Sequence, residues 1–441
     1  QNFGGAIGGA DEGDAPCTAA DLDVFSGGTS FTGLPDCLRI AAAASANANT
    51  GAVAAVDPNF DVPSNHRWSI GLNHLMESNI EFLNNWTIRA DFIYTDHKDA
   101  VDWVDLRLTP NGVTLPDGRA QFFEVDPLLP GCTATFNGIR QGFSNAGTNG
   151  GPCDDVSNSN QDVLMTNGVE GSTSSFTVQF AKEFEFSDRT SLDFNFGYSY
   201  LDAEVGNPVN SSTAGSSYEE VAKITLNNNT LGPALYATKH NIVLTTRFKH
   251  EWAEGWPFSV GMFFQRRSGR PFSYTYEDDT VEDYFGDSDD EESVLIHVPT
   301  GPTDPLYDFS QLSAQQVTDL FSLLDESGLS AYAGRIAPKN GFNSPWTTDL
   351  DIRLQQDLPM WREHSLQVFL DIENALNLFS DSNNLSRYSD TGDIEEGVRV
   401  MQLESPPTPG VFVVEDVFFE GTDLDVDDSV YRIQLGIRYN F

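Results

Sequence analysis

The chain has 441 residues, of which 39% are apolar and 20% charged, with 37 Gly, 31 Phe and a formal net charge of -42. That length could hold two or three ordinary domains or one large barrel, and the abundance of Gly, Phe, Asn and Ser favours many strands and many turns. The charge excludes a nucleic-acid binder, which needs a basic footprint, and argues against docking on an anionic cytoplasmic leaflet.

Residues 1–66 open on a glycine-rich stretch with no signal peptide, so the true N-terminus is expected well upstream. The most apolar run, Ala41 to Val56, is interrupted by Ser45, Asn47, Asn49 and Thr50, and no run long enough for a helical membrane span occurs. The cysteines form two local pairs, Cys17 with Cys37 and Cys132 with Cys153. Gly, Pro, Asn and Asp flank them, while a zinc site would need a CxxC or a nearby His. Two loop disulfides, and hence an oxidising compartment, are therefore expected.

From residue 67 onward, large apolar residues alternate with polar ones over segments of about ten residues, the length a tilted strand needs to cross a bilayer. Nine such segments occur. Their apolar sets begin with Trp68, Ile70 and Leu72, pass through sets such as Phe194, Phe196 and Tyr198, and end with Tyr431, Ile433, Leu435, Ile437, Tyr439 and Phe441. Ionisable residues fall between them: Arg89, Asp91, Asp193, Arg247, Asp349, Asp351, Arg353, Asp371, Arg432 and Arg438. A soluble sandwich could show the same alternation. The connections decide against it, because short ones (near 77–85, 185–189, 253–256 and 358–363) and long ones (roughly 99–173, 204–239, 277–345 and 378–428) follow each other strictly. All seven tryptophans fall at or beyond strand ends, as two interfacial belts require: Trp68, Trp103 and Trp346 on the long-loop side, and Trp86, Trp252, Trp256 and Trp361 on the other. The expectation is an all-β, transmembrane antiparallel β-barrel with long extracellular loops. Its nine strands cannot close an even-stranded wall alone, and residues 1–66 form a loop above the first of them.

Within the third long connection, Ser313 with Gln316 three residues later, followed by Val317, Leu320, Phe321 and Leu324, spells a capped amphipathic helix with Gly328 as its stop. Its expected place is over the barrel mouth. The same connection is dense in carboxylates, including Asp287, Asp289 and Asp290. Near the C-terminus Asp423, Asp425 and Asp427 have the one-three-five spacing of a calcium loop, but the loop's Gly and its terminal Glu are missing. These six are calcium candidates, and the plainer reading is a solvated acidic face with no cofactor. No nucleophile elbow or HExxH appears and the seven histidines are scattered, so no catalytic activity is expected.

The C-terminal run from Tyr431 to Phe441 resembles the insertion signal of outer-membrane barrels, carried by Tyr439 and Phe441. Asp371-Ile-Glu-Asn-Ala-Leu-Asn-Leu-Phe379 resembles the penultimate-strand motif of TonB-dependent receptors. Ser268-Gly-Arg-Pro-Phe-Ser-Tyr-Thr-Tyr276, the stretch from Gly334 to Trp346, Tyr200-Leu-Asp-Ala-Glu204 and Ser211-Ser-Thr-Ala214 are similar to segments of the Oar-like receptors. Full-length members carry an N-terminal carboxypeptidase-regulatory-like domain, a plug and a 22-stranded barrel. The resemblance covers about residues 60–441, and implies the last nine strands of such a barrel, without the plug or the upstream strands. It implies TonB-dependent uptake across the outer membrane of a Gram-negative bacterium. TonB, ExbB and ExbD would act through the missing part, lipid and lipopolysaccharide would surround the wall, and the ten ionisable residues above would face the lumen. The ligand is left open, and a surface adhesin or structural barrel without transport is the alternative.

Overall fold

Period-two alternation is satisfied by pairing, and the described residues build nine long strands, each hydrogen-bonded antiparallel to the next in chain order. They are β1 (Ser64–Met76), β2 (Trp86–Lys98), β3 (Ser172–Ser187), β4 (Thr190–Val205), β5 (His240–Glu251), β6 (Pro257–Arg267), β7 (Thr347–Pro359), β8 (Ser365–Glu373) and β9 (Arg432–Asn440). The computed structural model describes residues 53–441 except 155–160, 210, 278–279, 287–292, 361–363, 379–386, 390–396, 406, 419–421 and 425–428. Among the described residues nothing pairs with the outer edge of β1 or of β9. The first strand starts at Ser64, slightly before the expected boundary at residue 66.

Register keeps every apolar set on one face, since directly opposed residues share a side. One row reads Ile70, Phe92, Phe176, Tyr200 across β1 to β4, and another Phe196, Leu244, Phe264, Leu350 across β4 to β7. Across the last strands Leu354 opposes Leu370, which opposes Leu435. A sandwich would cover this face with a second sheet. Here no hydrophobic side chain of the nine strands reaches full burial, and Ile70 and Leu435, on the two edge strands, are each 72% exposed.

The buried core lies instead in the long connections, residues 99–171, 206–239, 268–346 and 374–431, which all leave the same end of the sheet. A single hydrophobic cluster draws Leu108, Phe122 and Val163 from the first, Tyr218 and Leu226 from the second, Tyr276, Phe285, Ile296 and Leu320 from the third, and Val400, Phe412 and Val414 from the fourth. The four long connections thus share one core and form a cap. A four-stranded sheet, Tyr274–Tyr276, Val398–Leu403, Phe412–Val417 and Tyr307–Asp308, interleaves the third and fourth. Val53–Val56 pairs in parallel with Asp162–Asn167, tying the segment before β1 to the first.

Among the described residues two α-helices sit in the cap, α1 (Ala214–Glu219) and α2 (Ala314–Glu326). The second has the predicted start. Ser313 Oγ accepts from the Gln316 amide at 3.2 Å, and Gln316 Oε1 accepts from the Ser313 amide at 3.0 Å. Leu320 and Leu324 are buried, and Gly328 ends the segment at φ +81°. Trp103 departs from expectation. It lies in the cap strand Val101–Asp105 and packs against the cap core instead of a membrane-level belt, because the first long connection folds back on itself. Trp86, Trp252 and Trp256 lie at the short-turn end, and Trp346 at the cap end stacks on His240 with centroids 5.8 Å apart. Trp361 lies outside the described residues.

Candidate functional site: a polar wall beneath a cored cap

The face opposite the apolar one carries all ten of Arg89, Asp91, Asp193, Arg247, Asp349, Asp351, Arg353, Asp371, Arg432 and Arg438. Cross-strand register links them. Arg89, Gln179, Gly197, Val243, Gln265 and Asp349 form one row, and Glu183, Asp193, Arg247, Gly261, Arg353 and Asp371 another. Arg438 opposes Gln367, and Arg432 opposes Glu373. Amides join neighbouring strands. Gln179 Nε2 donates to Asn195 Oδ1 at 2.9 Å, Gln265 Nε2 to Asn241 Oδ1 at 3.0 Å, and Gln367 Nε2 to Asp357 Oδ1 at 2.9 Å.

One guanidinium on this wall lies over an aromatic ring. Arg353 sits 4.3 Å from the Phe369 ring centroid and its Nη1 is 3.5 Å from Asp371 Oδ2. The ring needs the glycine opposite: a Cβ on Gly436 would come within 2.1 Å of Phe369. A cavity of about 390 Å³ opens beside Asp193, Asn195, Thr245 and Arg247, in the half of the wall remote from the cap. These groups are solvent-accessible and of both signs, an arrangement suited to contacting a polar solute or polypeptide.

The strand-closing motif is structural. The Asn374 amide donates to Asp351 Oδ1 at 2.9 Å with Asn374 at φ +51°, and the Asn377 side chain donates to the Ser429 carbonyl, so the chain turns off the wall into the short helix Ala375–Leu378. The two glycine-containing segments of the third connection meet each other. Ser273 Oγ donates to Asn340 Oδ1 at 2.9 Å and accepts from the Asn340 amide at 2.8 Å, and a Cβ on Gly269 would meet the Ser344 carbonyl oxygen at 2.0 Å.

Arg119 and Lys339, two of the buried cations among the described residues, join one connection of the cap to another, and neither was singled out from sequence. Arg119, from the first connection, donates to the Ile224 and Leu295 carbonyls at 2.9 and 2.8 Å. It pairs with Asp117 at 2.6 Å and lies 4.6 Å from the Phe285 ring centroid. Lys339, from the third, donates to the Gly206 carbonyl and to Asn229 Oδ1, whose amide in turn reaches Asp102 Oδ1 at 3.2 Å. Burial pushes the Lys339 ammonium down to about 7, against the pull of Asp102 and helped by the like charge of Lys223. No local charge pattern marks either in the sequence: Lys339 sits in a stretch, residues 327–348, that holds no Asp or Glu.

Cys132 and Cys153 form a disulfide inside the first connection, while Cys17 and Cys37 lie outside the described residues. Of the calcium candidates, Asp423 is in the short strand Thr422–Leu424, opposite Tyr388, and Asp425, Asp427, Asp287, Asp289 and Asp290 lie outside the described residues. Among the described residues no group of three or more His, Cys, Asp or Glu is placed to hold a metal ion. Tyr439 opposes Leu366 and its hydroxyl lies 2.9 Å from His364 Nδ1, while Phe441 is 96% exposed.

No protein-family model matches the chain, and no curated protein sequence matches it. Among solved structures it is similar to the outer membrane transporter YddB from Escherichia coli, at 12% identity and a TM-score of 0.37, over 77% of this chain and 31% of that one. It is similar also to the FrpB iron transporter from Neisseria meningitidis, at 11% identity and a TM-score of 0.26, over 70% of this chain and 39% of that one. The chain spans less than two fifths of either transporter.

Proposed function

We propose that this chain is the wall and loop cap of a TonB-dependent outer-membrane receptor of the Oar-like kind, which takes up a ligand from outside the cell. The observation that carries the reading is the uncovered apolar face: nine strands present aliphatic and aromatic side chains in register, and among the described residues no protein layer lies over them. Water would penalise such a continuous apolar surface, and lipid tails would not. The polar face then lines an aqueous lumen, with Arg89, Asp91, Asp193, Arg247, Asp349, Asp351, Arg353, Asp371, Arg432 and Arg438 contacting water, a plug or the ligand in transit. The cap stands on the extracellular side as the first surface a ligand meets. Tyr439 and Phe441 act as the barrel insertion signal. TonB, ExbB and ExbD act through segments outside this chain, and this part does no covalent chemistry.

Adjacent residues of β5 provide the test. Leu244 lies on the apolar face between Phe196 and Phe264, and Thr245 on the polar face between Asn195 and Phe263. Arg on a lipid-facing site near mid-bilayer costs about 2–4 kcal/mol. Leu244→Arg is expected to prevent assembly, read as loss of the heat-modifiable folded band in outer-membrane fractions, while Thr245→Arg assembles. Equal tolerance of both would sink the membrane reading. Growth on the ligand that persists without TonB would leave a barrel and remove the transport role.

A further inference from the structure

Charge is nearly absent from the apolar face. Within the nine strands, its Asp, Glu, Lys and Arg residues are Asp96, Lys98, Asp202, Glu204 and Arg266 at the cap end, and one more, Lys182, in the half of β3 remote from the cap. Lys182 opposes Phe194 on β4 and lies against the β1–β2 turn. Its ammonium is 4.6 Å from the Phe184 ring centroid, 5.8 Å from Phe82 and 5.9 Å from Trp86. It donates to the carbonyls of Glu81 and Phe82, both at 2.9 Å. Trp86 Nε1 donates to the same Phe82 carbonyl at 2.9 Å, fixing the rim of the cage.

An ammonium has three protons, and two of them are used. Among the described residues the third has no protein acceptor, and no carboxylate comes within ion-pairing distance of Lys182, in a chain with 66 Asp and Glu against 24 Lys and Arg. A cation in an aromatic cage on an apolar face, with one donor uncommitted and no protein counter-charge, is chemically completed by an anion from the surrounding phase. Aromatic rings at the end of the apolar band mark headgroup depth, and a lysine reaching that depth meets phosphate oxygens.

We propose that Lys182 binds the phosphate of an anionic phospholipid in the leaflet at the short-turn end of the wall. The site rests on the membrane reading given above. Phe82, Trp86 and Phe184 hold the ammonium and pack along the acyl chain's glycerol end, and the two backbone carbonyls aim it.

The test is native mass spectrometry of the full-length protein released from nanodiscs of mixed phosphatidylglycerol and phosphatidylcholine. Lys182→Gln keeps amide donors for the two carbonyls but carries no charge, and Lys182→Arg keeps the charge. The wild type is expected to retain phosphatidylglycerol in excess of its share, K182Q to lose roughly five-fold of that enrichment, the ratio one lysine near an anionic surface supports, and K182R to keep it. Enrichment that survives in K182Q, or is absent in the wild type, overturns the site. A purely structural lysine would lower the melting temperature in K182Q without changing which lipid stays bound, and that result also overturns it. Insertion without enrichment defeats this site alone, whereas a protein that enters neither discs nor micelles defeats the membrane reading as well.

Discussion

Lys339 shows how a single buried cation can make the cap sensitive to pH. Its ammonium is carried into the cap interior, 4% exposed, where the Gly206 carbonyl and Asn229 receive its protons and Asp102 lies one hydrogen bond further. Desolvation favours the neutral amine and lowers the folded-state value from 10.5 to about 7. In the unfolded chain the group keeps its ordinary value, so between about 7 and 10.5 the unfolded state holds a proton that the folded state lacks. Cap stability is therefore expected to climb as pH rises through that window and to be flat below it, at a slope of at most about 1.4 kcal/mol per pH unit for one proton. Lys339→Met should flatten the climb, measured as the denaturation midpoint of cap fluorescence at pH 7, 8 and 9. A slope unchanged in K339M would mean that other groups titrate.

The helix α2 and the nine strands were legible because their signals are local. Ser313 and Gln316 are three residues apart and answer each other's backbone, so the helix start is written in four consecutive residues. Removing that oxygen tests the point: Ser313→Ala should cost α2 about 1 kcal/mol, seen as faster hydrogen exchange over residues 314–326 with no change in β5 or β6. The strands were readable for a similar reason, since alternation with period two needs no partner to be recognised and the pairing follows from chain order. The cap strands failed the same reading. Tyr274–Tyr276 and Tyr307–Asp308 are short, and their partners, Val398–Leu403 and Phe412–Val417, come from another connection more than 100 residues away. The register of the polar wall came free with that of the apolar face. Arg119 and Lys339 did not, because what makes them matter is a set of carbonyls contributed by the second and third connections. The short acidic stretch after Glu277 shows the same limit: it reads as solvated, yet Val281, Tyr284 and Phe285 within it are buried in the cap core.

At the scale of the whole molecule, apolar burial and charge are divided between two layers. The nine long strands hold 11 of the 24 Lys and Arg but only 13 of the 66 Asp and Glu, for a net charge of -2, so nearly all of the -42 belongs to the connections and to the residues before β1. The wall thus suits an apolar phase outside and a mixed-charge interior, while the cap suits a salt-rich aqueous phase with its own core. A core shared by four connections should open as one unit. Phe412 is the place to ask, being fully buried with its ring centroid 5.3 Å from Tyr307, 5.7 Å from Tyr284 and 6.2 Å from Tyr276. Phe412→Ala removes about 3–5 kcal/mol of packing. If the cap is a single cooperative body, amide protection should fall together in residues 99–171, 206–239, 268–346 and 374–431 while β1 to β9 keep theirs, because the strand ladder does not depend on the cap core. Loss confined to residues 374–431 would mean that the connections fold separately, and the cap would then be a set of independent loops.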